Sequence, residues 1–189
     1  MRDGIVVETA RLRLRRWRES DRAPFAAMNA DPRVMEFFPS CLTREESDAG
    51  VDRVEAHFDR HGFGFYAAEL REGGQFIGFI GISVPNFEAH FTPSIEIGWR
   101  LDTAFWGRGL ATEGALAVVS HAFETLRIPE LVSFTAVANT RSRRVMEKIG
   151  MTHDPTGDFD HPKLPEGHPL RRHVLYRMIR PDQRPVQTC

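Results

Sequence analysis

Two glycines form a tight turn near the middle of the chain, in a setting that favours the binding of a phosphate group. Gly107 and Gly109 flank Arg108, after an apolar strand that ends near Leu101. Beyond Thr112, apolar residues recur at helical spacing, so a helix is predicted to begin at the turn. The first turn of a helix has unpaired N–H groups and the positive end of the helix dipole, and glycines let a pyrophosphate approach that backbone closely. The alternative is an ordinary strand-to-helix connection, where glycine is also frequent.

The helix after the turn is predicted to bury a wide apolar stripe. Its members are Ala115, Leu116, Val119, Ala122, Phe123 and Leu126. Residues 95–101 before the turn and residues 131–137 after the helix both have the pattern of strands. Two strands joined by a helix imply a crossover connection and parallel pairing.

The earlier part of the chain predicts the elements that support this turn. Residues 9–17 alternate, with Leu12 and Leu14 on a buried face and the intervening arginines on a solvated face. Thr43 and Glu46 form a capping box for a helix that ends near His61 and Gly62. Two strands over 63–70 and 75–84 then form a hairpin.

Composition bounds the class of protein. The 189 residues fit one domain, predicted over 1–180 with a C-terminal tail at 181–189. With 25 basic and 26 acidic residues the charge nearly cancels, so no nucleic-acid partner is expected. Cys41 and Cys189 have no CxxC spacing, which argues against a disulfide framework or a zinc site. No apolar run reaches membrane-spanning length, so we expect a cytoplasmic protein without a membrane partner. We expect the protein to be a monomer or a homodimer.

A second motif follows the second strand. Asn139 is a good helix cap, and the segment 139–151 reads N-x-x-S-x-x-x-x-E-K-x-G-M. With the earlier W-G-R-G-L-A of residues 106–111, this chain resembles the GNAT family of N-acetyltransferases, and within it the group related to ribosomal-protein N-acetyltransferases. The resemblance covers about residues 8–180. Trp106 departs from the usual Gln or Arg of the family but is similar to the form of the ribosomal-protein group, and Met151 replaces the usual aromatic residue.

The resemblance implies an α+β fold with a curved, mixed, mostly antiparallel sheet flanked by helices. Two parallel strands splay apart in this fold, and acetyl-CoA binds in the gap. The residues expected to bind the cofactor are Trp99, Leu101, Gly107, Arg108, Gly109, Leu110, Ala111, Thr112, Asn139 and Ser142. No metal is needed for this transfer, and His161, His168 and His173 match no standard ligand spacing.

An amine must lose a proton before it attacks a thioester, so the resemblance also directs attention to a base. Glu96 is the first candidate because its strand leads into the cofactor gap, although it could instead pair with Arg100. Asp160 and His161 are the alternatives, since similar enzymes place such groups in this loop.

The departing CoA sulfur would gain from a hydrogen-bond donor. Many relatives use a tyrosine, but the corresponding position here is Met146, which leaves the hydroxyl of Ser142. Ser142 could equally support the helix start or contact the pantetheine.

The expected function is transfer of the acetyl group of acetyl-CoA to a primary amine of a protein N-terminus or a small molecule, by direct attack in a ternary complex. Phe37, Phe38 and Phe65 are candidates for the wall of the acceptor pocket, with core burial as the alternative. The competing hypothesis is a protein that binds acyl-CoA for sensing or regulation without turnover.

Overall fold

The computed structural model describes residues 4–183, and within them the chain forms nine β-strands and four α-helices. The strands are β1 (Ile5–Glu8), β2 (Leu12–Arg15), β3 (Phe65–Leu70), β4 (Phe76–Ser83), β5 (Glu96–Leu101), β6 (Glu130–Ala136), β7 (Thr152–His153), β8 (Phe159–Asp160) and β9 (Arg172–Ile179). The helices are α1 (Arg22–Asn29), α2 (Arg44–His61), α3 (Leu110–Ser120) and α4 (Thr140–Lys148). The strands form a mostly antiparallel sheet with one parallel pair, and helices flank it, which confirms the predicted fold class.

The chain divides into two compact units. The first runs to Ser83 and includes Ile97–Val118, and the second contains Val84–Glu96 and the chain from Val119 onward. The single domain over residues 1–180 therefore stays a prediction. Of the predicted tail, Pro181–Gln183 form a 3-10 turn, and residues 184–189 lie outside the described residues.

The first unit contains five strands in the order β1-β2-β3-β4-β5. The predicted hairpin is present, with β3 antiparallel to β4 and Tyr66 opposite Ile80. The capping box is also confirmed, because Thr43 Oγ1 accepts from the Glu46 N–H and the Glu46 carboxylate accepts from the Thr43 N–H. Helix α2 ends at the predicted place, with Gly62 as its C-cap.

The predicted solvated face of β2 is wrong at Arg15. Leu12 and Leu14 are fully buried as expected, but the side chain of Arg15 is also only 2% exposed. Arg15 lies on the other face of β2 from Leu14, and the carboxylates of Asp21 and Glu69 cover it on that face. The guanidinium of Arg15 is paired there with Asp21 at 2.6 Å and with Glu69 at 2.8 Å.

The buried face of α3 also differs from the predicted stripe. Leu116 is 47% exposed, whereas Gly114 and Val118 are buried together with Leu110 and Ala115. Helix α3 continues into a π-helical turn over His121–Thr125, which shifts the spacing of the later apolar residues. Gly114 allows close packing here, because a Cβ at this position would collide with Ile80 Cδ1 and lie 3.2 Å from Leu12 Cδ1.

The second unit contains β6 and β7 on either side of β9, all antiparallel, and β8 also pairs with β9. The predicted irregular loop over 155–169 is therefore partly regular. Glu96, the first residue of β5, pairs in parallel with Val132 of β6. A hydrophobic core cluster of the second unit includes Val132 and consists of Phe91, Val132, Phe159 and Leu175.

Within residues 4–183, no helix combines the length and the apolar character needed to cross a membrane.

Candidate active site

The glycine turn has the backbone that a phosphate seat requires. Gly107 and Gly109 adopt φ of +72° and +75°, a region that other residues rarely enter. Helix α3 begins at Leu110, and the Glu113 N–H donates to the Gly109 carbonyl at 3.0 Å. The N–H groups of residues 110–112 precede this helical bond, so they have no carbonyl to bond within the helix. An anion placed at this turn would meet three donors and the positive end of the helix dipole.

The turn is fixed from both sides. Trp106 Nε1 donates to the Leu101 carbonyl at 2.8 Å, which closes the segment between β5 and α3. On the other side, Arg11 Nη1 donates to the Arg108 carbonyl at 2.9 Å, and Arg11 Nε pairs with Glu113 at 2.6 Å. These contacts hold the backbone in the shape that exposes its N–H groups.

Glu113 places a carboxylate in the first turn of α3, where an acidic group would repel a phosphate. Burial opposes its charge, but hydrogen bonds from Thr9 and Arg11 outweigh burial and lower the pKa of Glu113. Glu113 is therefore ionised and neutralised locally by Arg11. This pair could not be predicted from the sequence, because the contact joins positions 102 apart in the chain.

The other predicted cofactor residues lie on β5 and at the start of α4. Trp99 is half-buried and Leu101 is buried, both in the first unit. In the second unit, the Asn139 side chain accepts from the Ser142 N–H at 3.2 Å and donates to Thr135 Oγ1 at 2.9 Å. Asn139 thus caps α4 as predicted.

Ser142 of α4 carries the hydroxyl that is predicted to face the CoA sulfur. Its side chain is half-buried, and no hydrogen-bond partner of that hydroxyl is found within the described part of the chain. Met146, one turn further on, is 1% exposed and cannot donate a hydrogen bond. Of these two residues, only Ser142 can donate a hydrogen bond to the CoA sulfur.

Glu96 is half-buried at the start of β5. Burial raises the pKa of its carboxyl to about 8. No ion pair or hydrogen bond of this carboxyl is found among residues 4–183, and the alternative partner Arg100 donates instead to Asn29 Oδ1 at 2.8 Å. A carboxyl with a pKa near neutrality and no internal partner is typical of a catalytic acid or base.

Within the second unit, Glu96 shares a face of the sheet with a group of aromatic residues. Side chains of directly paired residues lie on the same face of a sheet, so Glu96 shares a face with Val132 and, two residues along β6, with Phe134. The rings on this face belong to Phe87, Phe91, Phe134, Phe159, His161 and His173.

The two alternative bases are less suited to the role. Asp160 follows Phe159 along β8, so it points to the opposite face, where Arg171 and Arg172 each lie 3.4 Å from its carboxylate. Burial, with smaller contributions from His173 and Lys163, lowers the pKa of His161 to about 4. His161 Nδ1 also accepts the Lys163 N–H at 3.3 Å.

His161 and His173 lie with ring centroids 5.0 Å apart, inside the aromatic face. No group of three or more ligand-type side chains that could hold a metal is found within residues 4–183.

The predicted acceptor residues occupy half-buried positions in the first unit. Phe38 lies under the guanidinium of Arg100, with 3.8 Å between Cζ and the ring centroid. Phe65 contacts Phe79 at 4.9 Å between centroids, and Phe79 also faces Arg100. Phe37 is half-buried as well. The contacts of Arg100 with Phe38 and Phe79 could not be predicted from the sequence.

The positive φ of Gly107 and Gly109 and the unbonded N–H groups at the start of α3 indicate a protein that binds a phosphorylated, nucleotide-type cofactor. Comparison with known proteins makes this assignment specific. The model of the acetyltransferase (GNAT) domain matches residues 11–152, and the chain belongs to this family. It is an acetyl-CoA-dependent acetyltransferase.

One relative and two solved structures illustrate the likeness. The chain is 31% identical over 190 residues to an FsC-acetyl coenzyme A-N(2)-transacetylase of Aspergillus fumigatus, covering 93% of this chain and 80% of the relative. An acetyltransferase structure from Agrobacterium tumefaciens is 31% identical with a TM-score of 0.72, covering 91% of this chain and 92% of that one. RimL, a ribosomal alpha-N-protein acetyltransferase in complex with coenzyme A, has the same fold at 19% identity and a TM-score of 0.74, covering 93% and 97%.

Proposed function

We propose that the protein transfers the acetyl group of acetyl-CoA to a primary amine, by direct attack of the amine on the thioester in a ternary complex. The observation that carries the proposal is the carboxyl of Glu96, which has a raised pKa and no partner within residues 4–183. Amine transfer needs such a group, because a lysine-like amine with a pKa near ~10.4 must lose a proton first.

The N–H groups of Arg108 to Thr112 bind the pyrophosphate of the cofactor in this proposal. The positive φ of Gly107 and Gly109 and the start of α3 at Leu110 support it. The backbone of Trp99 to Leu101 pairs with the pantetheine arm. These assignments need no charged side chain at the pyrophosphate, although Arg108 is exposed and adds a positive charge.

Glu96 in its ionised form takes the proton from the ammonium group of the acceptor, directly or through a water. Burial disfavours the ionised form of the Glu96 carboxyl, and this is the reason that its pKa is high. A carboxyl whose pKa lies near the working pH can both accept and release a proton efficiently.

Ser142 donates a hydrogen bond to the sulfur that leaves. Asn139 positions it, because the Asn139 cap fixes the first turn of α4 at the Ser142 N–H. A donor at the sulfur stabilises the thiolate as the tetrahedral intermediate collapses.

Two of the similar proteins are named for transfer of an acetyl group to a nitrogen: an N(2)-transacetylase and an alpha-N-protein acetyltransferase. We extend this chemistry to the present chain and place the reaction in the cytoplasm, where the exposed free thiol of Cys41 stays reduced.

The test measures free thiol released from acetyl-CoA in the presence of a panel of amines, with the acetylated product identified by mass spectrometry. Amine-dependent thiol release is expected. Binding of acetyl-CoA by calorimetry without amine-dependent release for any amine would favour the sensor instead.

A further inference from the structure

Arg100 carries a positive charge in poorly solvated surroundings, and no acidic side chain pairs with it within residues 4–183. Its Nη1 donates to Asn29 Oδ1, and its guanidinium lies over Phe38 and faces Phe79. Its Nε is enclosed and has no hydrogen-bond partner. Burial lowers the pKa of Arg100 to about 10. Within residues 4–183, the guanidinium of Arg100 thus contacts one amide oxygen and two aromatic rings.

Arg15 in the same unit shows how this chain otherwise treats a buried guanidinium. Arg15 is paired with the carboxylates of both Asp21 and Glu69. A desolvated charge without a counter-charge is costly, so such charges are normally paired. Arg15 has two carboxylate partners, whereas Arg100 has none within residues 4–183. This difference indicates that the partner of Arg100 comes from outside the chain.

Asn29 holds the guanidinium of Arg100 in a fixed orientation. Asn29 is fully buried, and its Nδ2 donates to Ser47 Oγ at 2.9 Å, which fixes the plane of the amide. The backbone carbonyl of Asn29 accepts the Leu42 N–H at 3.0 Å and so anchors the loop that carries Phe38. A guanidinium fixed in this way loses little side-chain freedom when it binds an anion.

We propose that Arg100 binds a carboxylate group of the amine acceptor. The free donor is Nη2, since Nη1 is bonded to Asn29 and Nε is enclosed. Phe38, Phe65 and Phe79 supply an apolar surface next to this donor. The inference rests on the proposed amine acetylation and adds the substrate class, a primary amine that carries a carboxylate.

A phosphate of acetyl-CoA is the other possible source of an anion. The glycine turn already offers the pyrophosphate its own backbone donors, so we assign Arg100 to the acceptor. Binding of acetyl-CoA alone separates the two sources.

The experiment uses acceptors in matched pairs, amino acids and dipeptides each as the free acid and as the C-terminal amide, with rates measured by thiol release. The wild-type protein is expected to prefer the acids. Arg100→Gln should lower kcat/KM for the acids on the order of 10- to 100-fold, mainly through KM, as expected for loss of a hydrogen bond to a charged group. The amides should be unaffected, and the affinity for acetyl-CoA should not change.

Two further variants control for folding and for charge. Arg100→Lys keeps the charge without the planar guanidinium and should retain part of the preference. Arg33→Gln changes an arginine that pairs with Asp31 and is 73% exposed, and it should change neither rate nor preference. Thermal unfolding of each variant shows whether the fold is intact.

Equal rates for acids and amides in the wild type, or acceptance of other amines but no acid, would overturn the inference. Loss of acetyl-CoA affinity in Arg100→Gln with an unchanged acceptor preference would assign the anion to the cofactor and also overturn it. If no amine releases thiol, the proposed function fails, and calorimetry of the same pairs with the acetyl-CoA complex still decides whether Arg100 binds a carboxylate.

Discussion

Replacement of Glu96 by glutamine should change the pH dependence of the reaction in a defined way. With a pKa of about 8, the ionised fraction of the carboxyl rises from about 9% at pH 7 to about 91% at pH 9. For a lysine-like acceptor, which stays protonated over this range, kcat/KM of the wild type should therefore rise about tenfold between these pH values.

The Glu96→Gln variant has no base and depends on the free amine in solution. The free fraction of an amine with a pKa near ~10.4 rises about a hundredfold between pH 7 and pH 9. A general base contributes roughly 10²–10⁴ in rate, so the loss should be large at pH 7 and about tenfold smaller at pH 9.

The assay is thiol release from acetyl-CoA over pH 6.5 to 10, at amine concentrations well below KM. Glu124→Gln, an exposed residue just after α3, is the matched control and should follow the wild-type profile. Parallel profiles for Glu96→Gln and the wild type would refute the role of Glu96, and the same series with Asp160→Asn would then be the next measurement.

The raised pKa of Glu96 can be checked without substrate. The Glu96 carboxyl has a higher pKa in the folded than in the unfolded protein, so its protonated form favours the folded state at low pH. This contribution to the free energy of unfolding is lost as the pH rises from the unfolded-state pKa through about 8. The difference in Tm between Glu96→Gln and the wild type should therefore be more positive at pH 9 than at pH 5.

Three other substitutions test separate parts of the structure. Gly107→Val should weaken acetyl-CoA binding about tenfold or more, whereas Gly73→Val in the hairpin turn, with a similar positive φ and a similar strain of about 1–2 kcal/mol, should leave it unchanged; equal affinities would argue against the phosphate seat. Ser142→Ala should lower the single-turnover rate by about 10²–10⁴ at constant acetyl-CoA affinity, and a loss confined to affinity would make Ser142 a binding residue. Arg15→Met should lower the free energy of unfolding in urea by about 3–5 kcal/mol, because two buried carboxylates lose their partner.

The features that local sequence determines were predicted well. The capping box at Thr43 and the Asn139 cap depend on side chains three residues from the N–H groups they bind, and both are present. The glycine turn is similar, since the φ values of Gly107 and Gly109 follow from what only glycine adopts easily. Short-range hydrogen bonding leaves a clear pattern in a single sequence.

Features that depend on distant contacts were not predictable in the same way. The alternation of β2 cannot show that its second face is covered, and the pairing of Arg15 with Glu69 joins residues 54 apart. The predicted stripe on α3 was displaced towards Leu116 because the buried side includes Gly114, which has no apolar side chain to mark it in the sequence. The surroundings of Arg100 are formed by Asn29, 71 residues away, so the sequence alone gives no sign that this arginine lacks an acidic partner.

The fixation of the glycine turn by Arg11, the residue before β2, has a consequence for how the chain folds. Arg11 and the residues it holds are 97 and 102 positions apart, so the turn reaches its final shape only after a long loop has closed. Closure of long loops is slow and costs chain entropy, whereas α2 and the hairpin form from neighbouring residues. During refolding, helical signal should therefore appear before affinity for acetyl-CoA. Competence to bind the cofactor is then among the last properties that the refolding chain acquires.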